Sequence, residues 1–125
     1  MPTLPSEGGG PARRSFIIVL PGHGDPPKGA YQTAVVPSSA HVTAKQTVTY
    51  GLGGKNTVTL SSRSDEGCLL SLQRDIVTLD GARLERQEIP LPPLPKPETA
   101  LAAAGALLVA GCPPDKLYET MLPLT

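Results

Sequence analysis

Two histidines are the side chains best suited to catalysis or metal binding in this chain. His23 lies two residues before Asp25 in a segment rich in glycine and proline, and a histidine–carboxylate pair is a common metal ligand or general base. No further group beside them completes such a site. His41 follows Ser38 and Ser39, but a serine nucleophile also needs an orienting group and an oxyanion hole. We therefore predict polar loops here, with no catalytic residue and no metal ligand.

Two glycine-rich segments have the composition of phosphate-binding loops. A Walker loop requires a glycine, four further residues, and then Gly-Lys followed by serine or threonine. In the segment Gly51–Lys55, the residue after Lys55 is Asn56, and Thr49 stands where the first glycine is required, so this segment is more simply a turn. The segment Gly22–Lys28 contains no Gly-Lys pair and leaves open a small anion-binding nest. The chain therefore does not encode a self-sufficient enzyme, and we predict no cofactor.

Composition and charge exclude several classes of partner. The 11 basic and 11 acidic side chains balance and are interspersed, whereas nucleic-acid binding needs a concentrated positive surface. The most apolar run, Ala100–Ala110, is far too short to cross the roughly 30 Å of a bilayer core as a helix. Nothing near Met1 resembles a signal peptide. Cys68 and Cys112 belong to no CxxC pair and are expected to be buried free thiols. We expect a cytoplasmic protein with no nucleic-acid or membrane partner.

The pattern of apolar runs and chain breakers predicts one α/β domain, residues 15–125, after a disordered leader at residues 1–14. The leader contains three successive glycines and cannot recover its ordering entropy through burial. Short apolar runs cut off by proline or glycine are typical of buried strands. They predict a short, mainly parallel sheet with strands at Phe16–Leu20, Thr33–Val36 and Thr47–Tyr50. The connection Ser38–Lys45 has room for one helical turn.

A second block predicts a separate, small antiparallel β-meander from Thr57 to Ile89. Its strands are Thr57–Ser61, Cys68–Arg74 and Ile76–Leu79, with an exposed or edge strand at Ala82–Ile89. Asp80-Gly81 is a two-residue hairpin signal. Within the middle strand, alternate residues from Cys68 onward point to one face, which is expected to be buried.

Two C-terminal helices end the predicted domain. Pro97 fits the first helical position and Gly111 the residue just after the end, which predicts a helix over Glu98–Ala110. The proline-rich segment Ile89–Pro97 before it is interpreted as a stiff crossover, and the alternative is a ligand for a PxxP-recognition domain. A last short helix is predicted at Asp115–Leu122.

The order of these elements resembles the second half of the central domain of the Mur ligases, the ATP-dependent amide ligases of peptidoglycan synthesis. Val48–Gly51 is similar to the family's "tyG" strand, and Ile89–Pro92 is similar to its lead-in to the helix. Ala100–Ala104 corresponds to the helix start, and Ala110–Leu117 to the glycine turn and the final helix. The resemblance covers about residues 33–125. It implies a central-domain-like architecture for this chain.

At the positions where the resemblance places the family's chemistry, this chain departs from the family. The Asn-x-Asp-Asp motif corresponds here to Pro37–Ala40. Two asparagines that the resemblance places near the nucleotide base correspond to Lys96 and Thr99, which are therefore the candidate cofactor-binding positions in degenerate form. The family's P-loop half and its C-terminal ligand-binding domain have no counterpart in these residues.

These departures imply a scaffold kept without the family's chemistry. We expect a non-catalytic, Mur-ligase-like domain that acts as a protein-interaction or scaffold module, with a protein partner or a second copy of itself. A half-domain leaves sheet edges and apolar faces that invite pairing. The alternative is an accessory subunit of an ATP-dependent amide ligase of peptidoglycan or related synthesis, completed by a separate P-loop chain.

Overall fold

The computed structural model describes residues 15–19, 30–40 and 42–124, which form a mixed β-sheet, a small β-ribbon and two helices. The broad α/β class predicted from the sequence is confirmed. The strands are β1 Ser15–Val19, β2 Ala30–Pro37, β3 Thr43–Tyr50, β4 Val58–Ser64, β5 Gly67–Leu72, β6 Ile76–Val77, β7 Arg83–Leu84 and β8 Gln87–Leu91. The helices are α1 Pro97–Ala110 and α2 Pro114–Met121, and a 3-10 helix over Leu122–Leu124 follows. The predicted leader at residues 1–14 lies outside the described residues.

Among the described strands, six form one sheet in the order β1-β2-β3-β4-β5-β8. Strands β1, β2 and β3 are parallel to one another, as the apolar runs predict, although β2 and β3 extend beyond the predicted segments. Strand β4 joins the parallel half through one bridge between Tyr50 and Val58, and then pairs antiparallel with β5. The prediction of a separate meander is therefore wrong in one respect. Strands β4, β5 and β8 continue the parallel sheet, because β4 runs beside the end of β3.

The connection Ser38–Lys45 has room for one helical turn, but strand β3 already begins at Thr43. A turn at residues 38 and 39 closes with a hydrogen bond of 3.0 Å from the Ala40 N–H to the Pro37 carbonyl. Beyond this turn, β3 pairs with β2 in continuous register, from the pair Ala30 and Thr43 to the pair Pro37 and Tyr50. Backbone pairing along the whole of β2 satisfies more polar groups than an isolated turn of helix would.

The sheet buries side chains on both faces, because side chains alternate along a strand. On one face Val35, Val48 and Val58 belong to the main core under α1. On the other face Ala34 and Val36 are fully buried in a second, smaller cluster. Parallel neighbours usually have a crossover helix between them, and here only residues 38–42 connect β2 to β3. The second cluster is accordingly completed by partly buried residues of that connection and of β3: Ala40, Val42 and Ala44.

Helix α1 lies against the parallel half of the sheet and begins and ends as its sequence predicts. Pro97 occupies its first turn, and Gly111 adopts the left-handed conformation, with φ 109°, just after its end. The N–H groups of Gly111 and Cys112 close the helix on the carbonyls of Leu108 and Leu107. Such a cap satisfies carbonyls that otherwise have no partner in the last turn.

The remaining segments pack as local patterning indicates. Leu91, Pro92 and Leu94 are buried, which supports a packed crossover between sheet and helix rather than a free PxxP ligand. Strand β8 is the outer strand of the antiparallel half, but the edge strand predicted over Ala82–Ile89 is wrong in its extent. Arg83–Leu84 pairs with β6 in a ribbon separate from the sheet, and only Gln87–Leu91 joins the sheet. The ribbon's turn is longer than the two residues Asp80-Gly81, because Val77 pairs with Arg83.

Helix α2 buries one side only. Leu117 and Met121 are fully buried, and Tyr118 and Leu122 are exposed. Both cysteines are free thiols, Cys68 buried and Cys112 half-buried. Within the described part of the chain, neither helix has the length and apolar character required to cross a bilayer.

Candidate functional site

A cavity of about 810 Å³ opens at the carboxyl ends of β1, β2 and β3, beside the first two turns of α1. We call it the strand-end cavity. It is lined by the strand ends, the loop after β3 and one side of the helix: Val19, Pro37, Ser38, Ser39, Tyr50, Gly51, Leu52, Gly53, Asn56, Glu98, Thr99, Ala102 and Ala103. Ligands of open α/β sheets commonly bind outside the carboxyl ends of parallel strands. The position of this cavity therefore makes it the candidate site.

The loop after β3 forms one wall of the strand-end cavity. Gly51 has a φ of 153°, a backbone conformation that side-chain-bearing residues rarely adopt. A Cβ added at Gly51 would lie 3.0 Å from Asn56 Nδ2, so the glycine also leaves room for the Asn56 side chain. Asn56 Nδ2 in turn donates a hydrogen bond of 2.8 Å to the Gly53 carbonyl. The segment predicted to be a turn is indeed a turn, and Asn56 closes it.

Gln73, just beyond β5, holds this loop from outside the cavity. Its Nε2 donates two hydrogen bonds of 2.7 Å, one to the Gly54 carbonyl and one to the Asn56 carbonyl. Its backbone N–H donates to the Thr57 carbonyl at 2.8 Å. Because three loop carbonyls accept from one residue, the wall of the cavity is tied to the antiparallel half of the sheet.

Of the described residues that line the strand-end cavity, Glu98 alone is charged. It lies in the first turn of α1, where a carboxylate is favoured by the helix dipole. Across the cavity, burial raises the pKa of the Tyr50 phenol, and the negative charge of Glu98 raises it further. The phenol, which is already neutral near pH 7 at its ordinary pKa of about 10, therefore resists ionisation to still higher pH. The site combines one carboxylate with neutral hydrogen-bonding groups and apolar walls.

Asn56 also leaves an unmet hydrogen-bonding capacity in the wall. The residue is only 4% exposed, and its Oδ1 has no hydrogen-bond partner within the described structure. Thr59 Oγ1, deeper in the sheet, is the other such buried atom among the described residues. An unsatisfied buried acceptor costs about 1–3 kcal/mol relative to a satisfied one. A ligand donor that reaches Asn56 Oδ1 would recover that cost.

The positions singled out in the sequence are only partly brought together. Thr99 lines the strand-end cavity, whereas Lys96 is exposed at the residue before α1 and does not line it. A nucleotide-binding role for either residue stays a prediction. Ser38 and Ser39 lie at the cavity, but His41 is outside the described residues. His23, Asp25 and the rest of the Gly22–Lys28 segment also lie outside them.

Sequence reasoning missed Glu98 and Asn56 as site residues. Glu98 begins the predicted helix and Asn56 breaks the Walker pattern, but neither position by itself points to a cavity. Among the residues that the structure describes, no three His, Cys, Asp or Glu side chains are grouped so as to hold a metal ion.

The fold and the site define an α/β domain with a ligand-sized cavity at the carboxyl ends of its parallel strands. Comparison of the chain with protein-family models, with curated proteins and with solved structures finds no match.

Proposed function

We propose that this chain is a non-catalytic domain, similar to the central domain of the Mur ligases, that acts as a protein-interaction or scaffold module. The order of its elements supports the proposal. The elements follow one another as they do in the central domain that the chain resembles: first the strand that ends at Tyr50, then the antiparallel strands β4, β5 and β8, then the crossover into α1. The turn at Gly111 and helix α2 complete that order.

The observation that carries the non-catalytic part is the carboxylate of Glu98 in the strand-end cavity. The resemblance to the Mur ligases implies that a nucleotide would lie near the positions of Lys96 and Thr99. A triphosphate entering the cavity would face a like charge at short range, where repulsion is appreciable even at the dielectric of a protein surface. Lys96, whose charge would offset it, is exposed and outside the lining. The electrostatics at this position oppose the binding of a polyanion.

Calorimetric titration with Mg-ATP tests this part. We expect no saturable heat from the wild-type chain. Glu98→Gln, which removes the opposing charge, and Glu119→Gln, which removes an exposed carboxylate from α2, serve as matched variants. A dissociation constant below about 100 µM for the wild type, equivalent to about −5.5 kcal/mol, would contradict the proposal.

Such an outcome would favour the second candidate, an accessory subunit of an ATP-dependent amide ligase of peptidoglycan or related synthesis. One observation supports that candidate. The strand-end cavity lies where α/β sheets commonly bind ligands, and Thr99 is in its lining. ATP binding that requires a separate P-loop chain would support it in the same way.

The two outer strands of the described sheet differ in their capacity to pair with another strand. Strand β8 carries Pro90, which has no N–H to donate, and α2 packs against this strand. Strand β1 contains neither proline nor a charged residue between Ser15 and Val19. Uncharged outer strands without proline are those that accept an additional strand most readily. We place the interaction surface of the proposed module at β1, with a second copy of the chain as its occupant.

Sedimentation and hydrogen exchange test that surface together. We expect the average mass to rise with protein concentration, and the backbone amides of β1 to become more protected in the same range. The amides of β8 provide the internal control and are expected to keep their protection. A chain that stays monomeric over about a hundredfold range of concentration would remove the second copy as partner, because association follows mass action.

A further inference from the structure

We propose that the strand-end cavity is a binding site for a small organic cation with N–H donors, an alkylguanidinium or alkylammonium group whose apolar chain lies along the cavity mouth. This site concerns a small ligand, goes beyond the proposed interaction function and does not depend on it. Three features of the cavity lead to this class of ligand: its charge, its unpaired acceptor and its exposed apolar side chains.

Among the described residues that line the cavity, the side-chain charge is negative. The amino terminus of a helix is equivalent to roughly half a positive elementary charge, which by itself would favour an anion. Glu98 places a full negative charge within the same turn of α1 and lines the same cavity. Lys55 and Lys96 lie next to lining residues in the chain, but both are exposed to solvent and neither lines the cavity. The carboxylate therefore determines which sign of ligand charge is attracted.

The unpaired acceptor is Oδ1 of Asn56. The amide nitrogen of the same side chain is already engaged with the Gly53 carbonyl, so Asn56 offers an acceptor and no free donor. Oδ1 lies close beneath Gly51, since a Cβ added there would be 3.6 Å from it. Gly51 and Asn56 both line the cavity, so this acceptor belongs to the loop wall that a ligand N–H would meet. A cation with several N–H groups is suited to bridge Asn56 and Glu98.

The apolar part of the ligand is indicated by the cavity mouth. Val19, at the end of β1, is 40% exposed, and Leu52, in the loop after β3, is 52% exposed. Both line the cavity, and Ala102 and Ala103 of α1 form an apolar wall beside them. A short alkyl chain covers these side chains without demanding hydrogen bonds from them, and burial of such surface contributes about 25 cal/mol per Å².

Titration of the purified chain with butylguanidinium tests the site, with butyrate and 1-butanol as probes that have the same chain length and a different head group. Backbone amide shifts in two-dimensional NMR report where each probe binds. We expect saturable shifts at Gly53, Thr99 and Ala103, and binding of butylguanidinium about tenfold tighter than that of 1-butanol, a ratio in keeping with one partly solvated charge pair. Butyrate is expected to bind more weakly than 1-butanol.

Two variants attribute the binding to the carboxylate. Glu98→Gln is expected to reduce the preference for butylguanidinium over 1-butanol by about fivefold or more, and Glu119→Gln is expected to leave it unchanged. Glu98 and Glu119 are both exposed enough for a neutral replacement to be tolerated. Equal affinity for the three probes, tighter binding of butyrate, shifts confined to residues outside the cavity, or an unchanged preference in Glu98→Gln would each overturn the proposal. ATP binding outside the cavity would overturn the proposed function and leave this site standing, whereas ATP binding within the cavity would contradict both, because both rest on the charge of Glu98.

Discussion

Gln46 binds the backbone of Val77 through both atoms of its side-chain amide. Gln46 Oε1 accepts a hydrogen bond of 2.8 Å from the Val77 N–H, and Gln46 Nε2 donates one of 2.9 Å to the Val77 carbonyl. The Gln46 side chain on β3 thus makes with Val77 of β6 the two backbone hydrogen bonds that a neighbouring strand would otherwise make. With the hydrogen bond of 2.8 Å from the Leu79 N–H to the Val109 carbonyl, it attaches the β6–β7 ribbon to the sheet and to the end of α1.

Gln46→Ala is expected to loosen the ribbon without unfolding the sheet. Two side-chain-to-backbone hydrogen bonds at a partly exposed position contribute about 1–2 kcal/mol to the free energy of unfolding. Hydrogen exchange at the Val77 amide should become faster, while the Val48 amide within β3 keeps its protection. Lys45→Ala, an exposed neighbour on the same strand, is the control. Unchanged exchange at Val77 in Gln46→Ala would show that the ribbon does not depend on this amide.

Gly105 sets how closely α1 approaches the sheet. A Cβ added there would be 3.2 Å from Val35 Cγ1, which is tighter than ordinary packing. Gly105→Ala gains about 1 kcal/mol of helix propensity, and overpacking a core costs about 1–3 kcal/mol, so we expect a small net loss. In a Val35→Ala background the same substitution should be stabilising by about 1 kcal/mol. Urea unfolding of the wild type, the two single variants and the double variant measures the effect of Gly105→Ala in each background. Equal effects in both backgrounds would contradict the contact.

Leu101→Asp is expected to abolish the folded state. Leu101 is fully buried in the main core, and the substitution removes its packing, which is worth about 2–5 kcal/mol, and leaves an unpaired charge there. Far-ultraviolet circular dichroism and solubility measure the result. Ala110→Lys is the control on the same helix, because Ala110 is exposed and a basic residue is favourable in the last turn. A soluble Leu101→Asp variant with an unchanged thermal midpoint would show that this helix does not belong to the core.

Asp75 makes part of the free energy of unfolding depend on pH in the acid range. The hydrogen bond from Arg83, with the Arg86 N–H second, lowers the pKa of the Asp75 carboxyl below its ordinary value. A lowered pKa in the folded state contributes stability that is present above the unfolded value of about 3.9 and is lost as pH falls through the folded value.

The thermal midpoint of the wild-type chain should therefore fall more steeply below about pH 4 than that of Asp75→Asn, which cannot titrate there. Arg83→Gln removes the largest cause of the lowered pKa, so its thermal midpoint should fall with a steepness between those of the other two chains. Parallel acid profiles for the wild type and Asp75→Asn would show that the pair has no energetic role.

Local sequence signals were sufficient to predict most of the individual helices, strands and turns. Pro97 and Gly111 mark the ends of α1 because each acts on the backbone within one turn. Alternation along β5 predicts its buried face, with Cys68, Leu70 and Leu72 inside. The turn after β3 was equally visible from its glycines. These features depend on residues a few positions apart, and such residues meet in any compact fold.

The sequence by itself determined the α/β class, the parallel and antiparallel halves, and the two helices. The tertiary structure alone decided that the two halves share one sheet through Tyr50 and Val58, and that Gln46 holds the ribbon. It alone brought Glu98 of α1 to the same cavity as Asn56 of the loop after β3. Each of these relationships joins residues of different elements, and the pairing that satisfies the most backbone groups and buries the most apolar surface is a property of the whole chain rather than of any segment.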